Sequence, residues 1–285
     1  MNFSRRRFIQ TAAAVPVLSG LGVAASSSAI AQAADRVQAK FRLGMASFSL
    51  RNFNRAQAIA MTRRAGLEYI CFKDMHLPMN ATDEECAAAA EECRRAGLTL
   101  YACGVVYMGN AAEVNNAFRY ARAAGMNTII ASPNPNLLPL VEERVKETGI
   151  YIAIHNHTGG EARYRTPTSI METIDSLDSR IGMCLDIGNA ARVGVDVAKS
   201  IRDYKDRIHD LHLKDETEAS MQGRNTIFGR GALDMPSYFA ALLEIGYDRI
   251  ASVEYEIEAN DPLPGIMESV GYVRGVMRML TGERI

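Results

Sequence analysis

The sequence predicts an α/β protein of the (β/α)8 barrel class, folded as a single domain. Three observations predict it. Apolar, strand-like runs alternate with helical stretches eight times from Phe41 onward. A glycine follows several of the helical stretches, where a left-handed C-cap belongs. The chain beyond its first forty residues is roughly 250 residues long, the length of one closed barrel. An open dinucleotide-binding sheet would carry G-x-G-x-x-G after the first strand, and the sequence has none there.

The elements follow in order. Arg42–Ser47 reads as the first strand and Arg55–Ala65 as its helix, stopped by Gly66. Tyr69–Lys73 is the second strand. Thr82 and Glu85 form a capping box that opens a helix ending at Gly97. Leu98–Val106 is the third strand, with the helix Ala111–Ala124 closed by Gly125. Thr128–Ala131 is a short fourth strand, with the helix Leu137–Thr148 closed by Gly149. In the second half, Ile150–His155 is a strand followed by the helix Thr168–Leu177, and Ile181–Asp186 by Val195–Tyr204. Ile208–Leu213 leads into a long polar connection to Gly231 and a helix Ser237–Ile245. Ile250–Glu254 is the last strand and Pro264–Leu280 the last helix. Eight pairs at this length favour a TIM barrel over residues 41–285.

Side chains of a barrel strand alternate between lumen and helix layer. The apolar residues Ile152, Ile154, Met183, Leu185, Leu211, Leu213, Ala251 and Val253 suit the helix layer. The inward set is then Tyr151, Ala153, His155 and, if the strand stays regular, His157. It continues with Gly182, Cys184 and Asp186; Asp210, His212 and Lys214; and Ser252, Glu254 and Glu256. Four consecutive strands thus each bring a metal-capable side chain to the C-terminal end of the lumen, where barrel active sites are built. A lone histidine at a strand end is commonly a hydrogen-bonded core residue, and a lone aspartate before glycine a turn former. The conjunction of His155, Asp186, His212 and Glu254 points instead to one divalent metal. Two imidazoles and two carboxylates suit Mn²⁺ first, then Zn²⁺, Fe²⁺, Co²⁺ or Mg²⁺. His209 has the wrong parity and reads as structural. His76 and Lys73, after the second strand, and Tyr107 are candidates for the mouth, and His157 for a substrate contact.

Composition narrows the function. The 285-residue chain has a formal net charge of −1, with no basic block after its first residues, which argues against a nucleic-acid groove. Its five cysteines are odd in number and fit neither a disulfide framework nor a zinc knuckle; they read as small buried residues. Residues 1–34 read as a twin-arginine signal peptide. They hold Ser4-Arg5-Arg6-Arg7-Phe8, a mildly apolar run from Thr11 to Ala25, and small residues from Ala29 to Ala34. The expectation is periplasmic export, with no stable membrane anchor once the signal is removed. Twin-arginine substrates fold before export, so a metal could be loaded in the cytoplasm.

The motifs HNHTG (155–159), LDIGN (185–189), HLKD (212–215), FGRGALDM (228–235) and VEYE (253–256), in this order, resemble the xylose-isomerase-like TIM-barrel superfamily. They are most similar to its sugar phosphate isomerase/epimerase branch, over nearly the whole chain after the signal. The resemblance implies a metal held by Asp186, His212 and Glu254, with a fourth ligand from the fifth strand. In the epimerases that ligand is a glutamate, paired with the last-strand glutamate as an acid/base couple; here His155 stands in its place. The resemblance also aligns Gly229, Gly231 and Asp234 with a glycine-bearing loop, from which Arg230 is a substrate-binding candidate. Family members often form dimers or tetramers, so a homo-oligomer is an expectation.

The expected chemistry is proton transfer next to the carbonyl of a sugar or keto-sugar by a metal-dependent isomerase or epimerase. Glu254 is the candidate base, with Glu256 able to serve instead. His155 is placed with the catalytic set as well as the ligands, and Lys214 is a candidate for stabilising an oxyanion. The plain alternative for Lys214 and Glu256 is an ion pair with Asp215 or Arg230. A second reading is a lyase that expels water or an aglycone from a 3-keto-glycoside or an inosose-like substrate, for which one base suffices. A non-catalytic periplasmic sugar-binding protein and a DNA-repair endonuclease fit the residues less well.

Overall fold

The computed structural model describes residues 41–159 and 163–282. The signal peptide expected over residues 1–34 lies outside them. Eight parallel strands close into a barrel in which the first strand pairs with both the second and the last. The first four are β1 (Arg42–Ala46), β2 (Tyr69–Phe72), β3 (Thr99–Met108) and β4 (Thr128–Pro133). The other four are β5 (Tyr151–His155), β6 (Ile181–Asp186), β7 (Ile208–Leu213) and β10 (Ile250–Val253). The hairpin strands β8 (Asp215–Glu216) and β9 (Asn225–Thr226) stand apart from the barrel.

The helices start and stop where the local chemistry says they should. α1 (Arg55–Arg64) and α2 (Asp83–Arg95) open with capping boxes, Asn54 with Gln57 and Thr82 with Glu85. α3 (Ala111–Ala123) is capped by Asn110, and α4 (Leu138–Thr148) ends on Gly149 at φ 72°, a conformation that disfavours any residue with a Cβ. α5 (Pro167–Ile174) is capped by Thr166. α6 (Ile187–Arg192) and α7 (Val197–Asp203) follow β6. α8 (Met235–Glu244) and α9 (Leu263–Thr281) complete the ring. None of these helices is long and apolar enough to cross a membrane.

Alternation along the strands divides the interior in two. The helix-facing side chains, among them Ile129, Ile152, Ile154, Met183, Leu185, Leu211 and Val253, belong to one large core between sheet and helices. A separate, smaller cluster fills the lumen: Cys71, Tyr101, Ala102, Ile130, Ala153, Cys184 and Ile250. All five cysteines are buried and free, as a population of small apolar residues would be.

Three features depart from the sequence reading. The segment before α7 holds the separate short helix α6, where one helix Val195–Tyr204 was expected. The polar connection after β7 contains the β8–β9 hairpin. The register between β6 and β7 shifts between Met183 and Cys184, a bulge that leaves His209 as an extra residue. The His209 ring consequently packs where a Cβ on inward-facing Gly182 would stand, and edge-on to Tyr151. It is structural, as expected, but parity fails there because the bulge breaks the period of two. Its Nε2 meets Ser179 O at 2.8 Å.

Candidate metal centre

His155, Asp186, His212 and Glu254 converge at the C-terminal ends of β5, β6, β7 and β10. One ligand atom from each lies within 4.8 Å of all the others, and all four side chains are buried. His155 Nε2 is 3.2 Å from His212 Nδ1 and 3.3 Å from Asp186 Oδ2. His212 Nδ1 is 3.1 Å from Glu254 Oε2. Such spacings match the edges of a coordination polyhedron with metal–ligand bonds of about 2.0–2.2 Å. Two ring nitrogens in contact also cannot both carry a proton. Asp186 Oδ2 makes no well-aligned hydrogen bond despite its close neighbours. This donor set fits a divalent cation of the Mn²⁺ or Zn²⁺ type.

Electrostatics agree with that reading. Burial pushes the His155 imidazole below its ordinary range, keeping it neutral with a free lone pair. Burial also opposes charge on His212, but Glu254, Asp210 and Asp186 overcome it and raise its pKa. Glu254 and Asp186 are buried too, which alone would raise them; Lys214 and the histidines hold both below the usual carboxylate range.

Lys214 stands at the same centre. Its Nζ is 3.0 Å from Asp186 Oδ2 and 2.9 Å from Glu254 Oε2, and it also pairs with Glu256. Burial works against the ammonium, but the three carboxylates outweigh it and hold its pKa well above normal. The plain ion-pair alternative thus has different partners: Lys214 meets Asp186, Glu254 and Glu256 rather than Asp215. Asp215 is instead the anchor of the glycine loop. Its Oδ2 accepts from Gly229 N (2.8 Å) and Gly231 N (3.0 Å), and its Oδ1 from Leu233 N (3.3 Å).

Asp186 is held by residues the sequence reading passed over. Its Oδ1 accepts from Asn189 N at 2.8 Å and caps α6, which leaves Oδ2 for the centre. Buried Asn156 clamps the Asp186 backbone from both sides, donating to its carbonyl (3.0 Å) and accepting from its N–H (2.8 Å). Asn189 Nδ2 donates to Asn156 O at 3.2 Å, and Thr158 Oγ1 donates to Asn189 Oδ1 at 3.1 Å. The signal was present: Asn156 and Asn189 lie inside HNHTG and LDIGN, two of the four motifs that supply ligands.

A cavity of about 260 Å³ opens onto the centre, lined among others by Lys73, Tyr107, His157, Lys214, Glu254 and Glu256. Lys73 Nζ donates to Val105 O at 3.0 Å and lies 5.7 Å from the Tyr107 ring centroid. Exposed His157 accepts from Gly159 N at Nδ1 (3.0 Å), and its ring centroid is 6.0 Å from that of His155. Two candidates fall elsewhere. His76 is buried with both ring nitrogens engaged, Nδ1 with Ser47 Oγ (2.9 Å) and Nε2 with Phe53 O (3.1 Å), so it braces the loop after β2 and leaves the mouth to Lys73. Arg230 points its guanidinium at Glu268 of α9 (2.7 Å), with its side chain 60% exposed, and does not join the centre. A cavity of about 400 Å³ lies at the opposite end beside Arg42, Tyr69 and Arg274. It gathers no metal-capable set, so the chemistry locates the site rather than cavity size.

Residues 59–276 match the protein-family model described as "Xylose isomerase-like TIM barrel". Among curated relatives, an inosose dehydratase of Lacticaseibacillus casei is 26% identical over 129 residues, 40% of this chain and 43% of that protein. The chain spans less than half the length of the curated relatives it matches, 44% in the first of them. Among solved structures, the IolI protein with a bound zinc atom superposes with a TM-score of 0.73 at 16% identity, covering 84% of this chain and 99% of that one. L-ribulose 3-epimerase superposes with a TM-score of 0.69 at 18% identity, covering 85% and 96%.

Proposed function

We propose that this chain, which belongs to the xylose isomerase-like TIM-barrel family, is a divalent-metal-dependent enzyme that moves a proton next to the carbonyl of a sugar or keto-sugar, as an isomerase or epimerase. The observation that carries the reading is the convergence of four ligand atoms from four strand ends at the floor of an open cleft. A divalent cation held there supplies Lewis acidity, which makes the carbon beside a bound carbonyl acidic.

The chain's own groups then divide the work. Lys214, a buried ammonium, faces the cleft and offers positive charge to an oxygen that becomes anionic. Glu254 is held ionised by Lys214 and His212, which weakens it as a base. Glu256 lies against the same ammonium but is more open, its side chain 35% exposed, so it is the better placed carboxylate to take a proton from a substrate in the cleft. His157 and Tyr107 line the other side, where they contact substrate hydroxyls.

A second reading, elimination of water or an aglycone, is favoured by two observations. The motif resemblance implies that His155 stands where the epimerases carry a glutamate, and elimination runs with one base. The sequence match to an inosose dehydratase points the same way. The test is proton NMR in D₂O with Mn²⁺-loaded protein, followed by metal removal before spectra are recorded. Substrates are free ketohexoses, 3-keto-glucosides and an inosose. Deuterium beside the carbonyl with the skeleton intact supports isomerase or epimerase action; loss of water or aglycone selects the lyase. Neither change with metal bound contradicts the proposal. From the Arg5-Arg6-Arg7 segment we further propose twin-arginine export to the periplasm. Cell fractionation tests it, and cytoplasmic retention of the full chain would contradict it.

A further inference from the structure

Two residues back along each ligand-bearing strand, the lumen carries Ala153, Cys184, Asp210 and Ser252, all buried. Asp210 is the only carboxyl among these four. Its Oδ1 accepts from the Cys184 thiol at 3.6 Å and the Tyr101 hydroxyl lies close to the carboxyl, while Oδ2 makes no well-aligned hydrogen bond. Two residues further along the same strand, His212 presents Nδ1 to Glu254 and His155, and its Nε2 is likewise buried without a partner. An imidazole that coordinates through Nδ1 carries its proton on Nε2, so that atom is a donor. The lumen thus holds one buried donor and one buried acceptor on neighbouring inward positions, each costly if left alone.

The Cα atoms of neighbouring inward positions lie about 6.6 Å apart, so the two side chains project side by side into the lumen, and one water between them would satisfy both atoms. A cavity of about 250 Å³ at the N-terminal end of the barrel, lined in part by Tyr101, His209, Asp210 and Arg249, leads from solvent to Asp210. His155 provides an internal contrast. Its Nδ1 is also unpartnered, but Ala153 stands two residues behind it and offers no acceptor.

We propose that Asp210 is a positioning residue for His212: through one buried water it accepts the Nε2–H and fixes the ring so that Nδ1 faces the metal. The inference rests on the metal-centre reading. It is tested with protein containing ¹⁵N-histidine. In the Zn²⁺-loaded form, the His212 Nε2–H is expected as an exchange-protected resonance. Asp210→Leu, similar in size but without an acceptor, is expected to lose that protection and to bind Mn²⁺ about 10–100-fold more weakly. Asp210→Asn, whose amide oxygen still accepts, is expected to restore part of both. A role confined to filling the lumen would leave the resonance and the affinity of Asp210→Leu unchanged, and that result overturns the inference. An unprotected Nε2–H in the wild type overturns it without any variant. If the wild type binds no metal, the metal-centre reading fails and carries this inference with it. If wild type and Asp210→Leu bind metal equally, only the role of Asp210 fails.

Discussion

The two halves of the barrel differ in what their inward faces carry. From β2 to β4 the lumen residues are Cys71, Tyr101, Ala102 and Ile130, which pack on one another and on Ala153, Cys184 and Ile250 across the lumen. From β5 to β10 they end in His155, Asp186, His212 and Glu254, with Lys214 and Asp210 beside them. The first half fills space and lends the cleft a wall through Lys73, Val105 and Tyr107; the second half concentrates charge. Alternation is the same in both. The difference teaches that one backbone pattern serves packing or chemistry according to the side chain placed at the strand's C-terminal end.

The contrast would be broken most sharply by Glu254→Gln. It is expected to lower kcat/KM for whichever substrate is turned over by about 10³–10⁴-fold, through loss of an anionic ligand and of the Lewis acidity of the ion it holds. Its melting temperature should stay within about 4 °C of wild type, because Lys214 keeps Asp186 and Glu256. Activity assays and thermal melts on one preparation check both halves of that statement.

Ile129→Ala, in the core behind β4, should do the reverse. Ile129 is fully buried, and truncation is expected to cost about 2–5 kcal/mol in urea denaturation while Mn²⁺ affinity stays at the wild-type value. A large loss of affinity there would mean that the halves are not separable.

Much of this division was legible in the sequence because period-two alternation is a local property. It placed Ile152, Ile154, Leu211 and Val253 against the helices and brought His155, Asp186, His212 and Glu254 to one place. The rest was hidden for physical reasons. A helix as short as α6 has no periodic signature and depends on the Asp186 cap and on packing. Asp186 was read as a ligand only, although its two oxygens face two tasks. His209 was displaced by a bulge that nothing in its neighbours announces. The direction of a loop side chain such as Arg230 depends on Glu268, far along the chain.

A smaller effect sharpens the comparison through pH. Burial raises the Glu216 carboxyl from its ordinary 4.5 to about 7, with Oε1 accepting from Asn225 Nδ2 and Oε2 unpartnered. A carboxyl raised in the folded state contributes stability that is complete below its unfolded pKa and disappears as pH rises through the folded value. Melting temperature should therefore fall between pH 4.5 and about 7 in the wild type, and less so in Glu216→Gln. Equal slopes would show that Glu216 is not the group responsible. The smallest effect is expected from Arg230→Ala, which removes one exposed ion pair with Glu268. Stability should move by no more than about 0.5 kcal/mol and turnover not at all; a drop in turnover would return Arg230 to the site.

The account stands on four strand ends forming one metal centre, and equilibrium dialysis against Mn²⁺ with elemental analysis tests that directly. The wild type is expected to retain one ion per chain, and the Asp186→Ala/Glu254→Ala double variant, folded by circular dichroism, none. Retention of the ion by the double variant, or its absence from the wild type, would contradict the central claim.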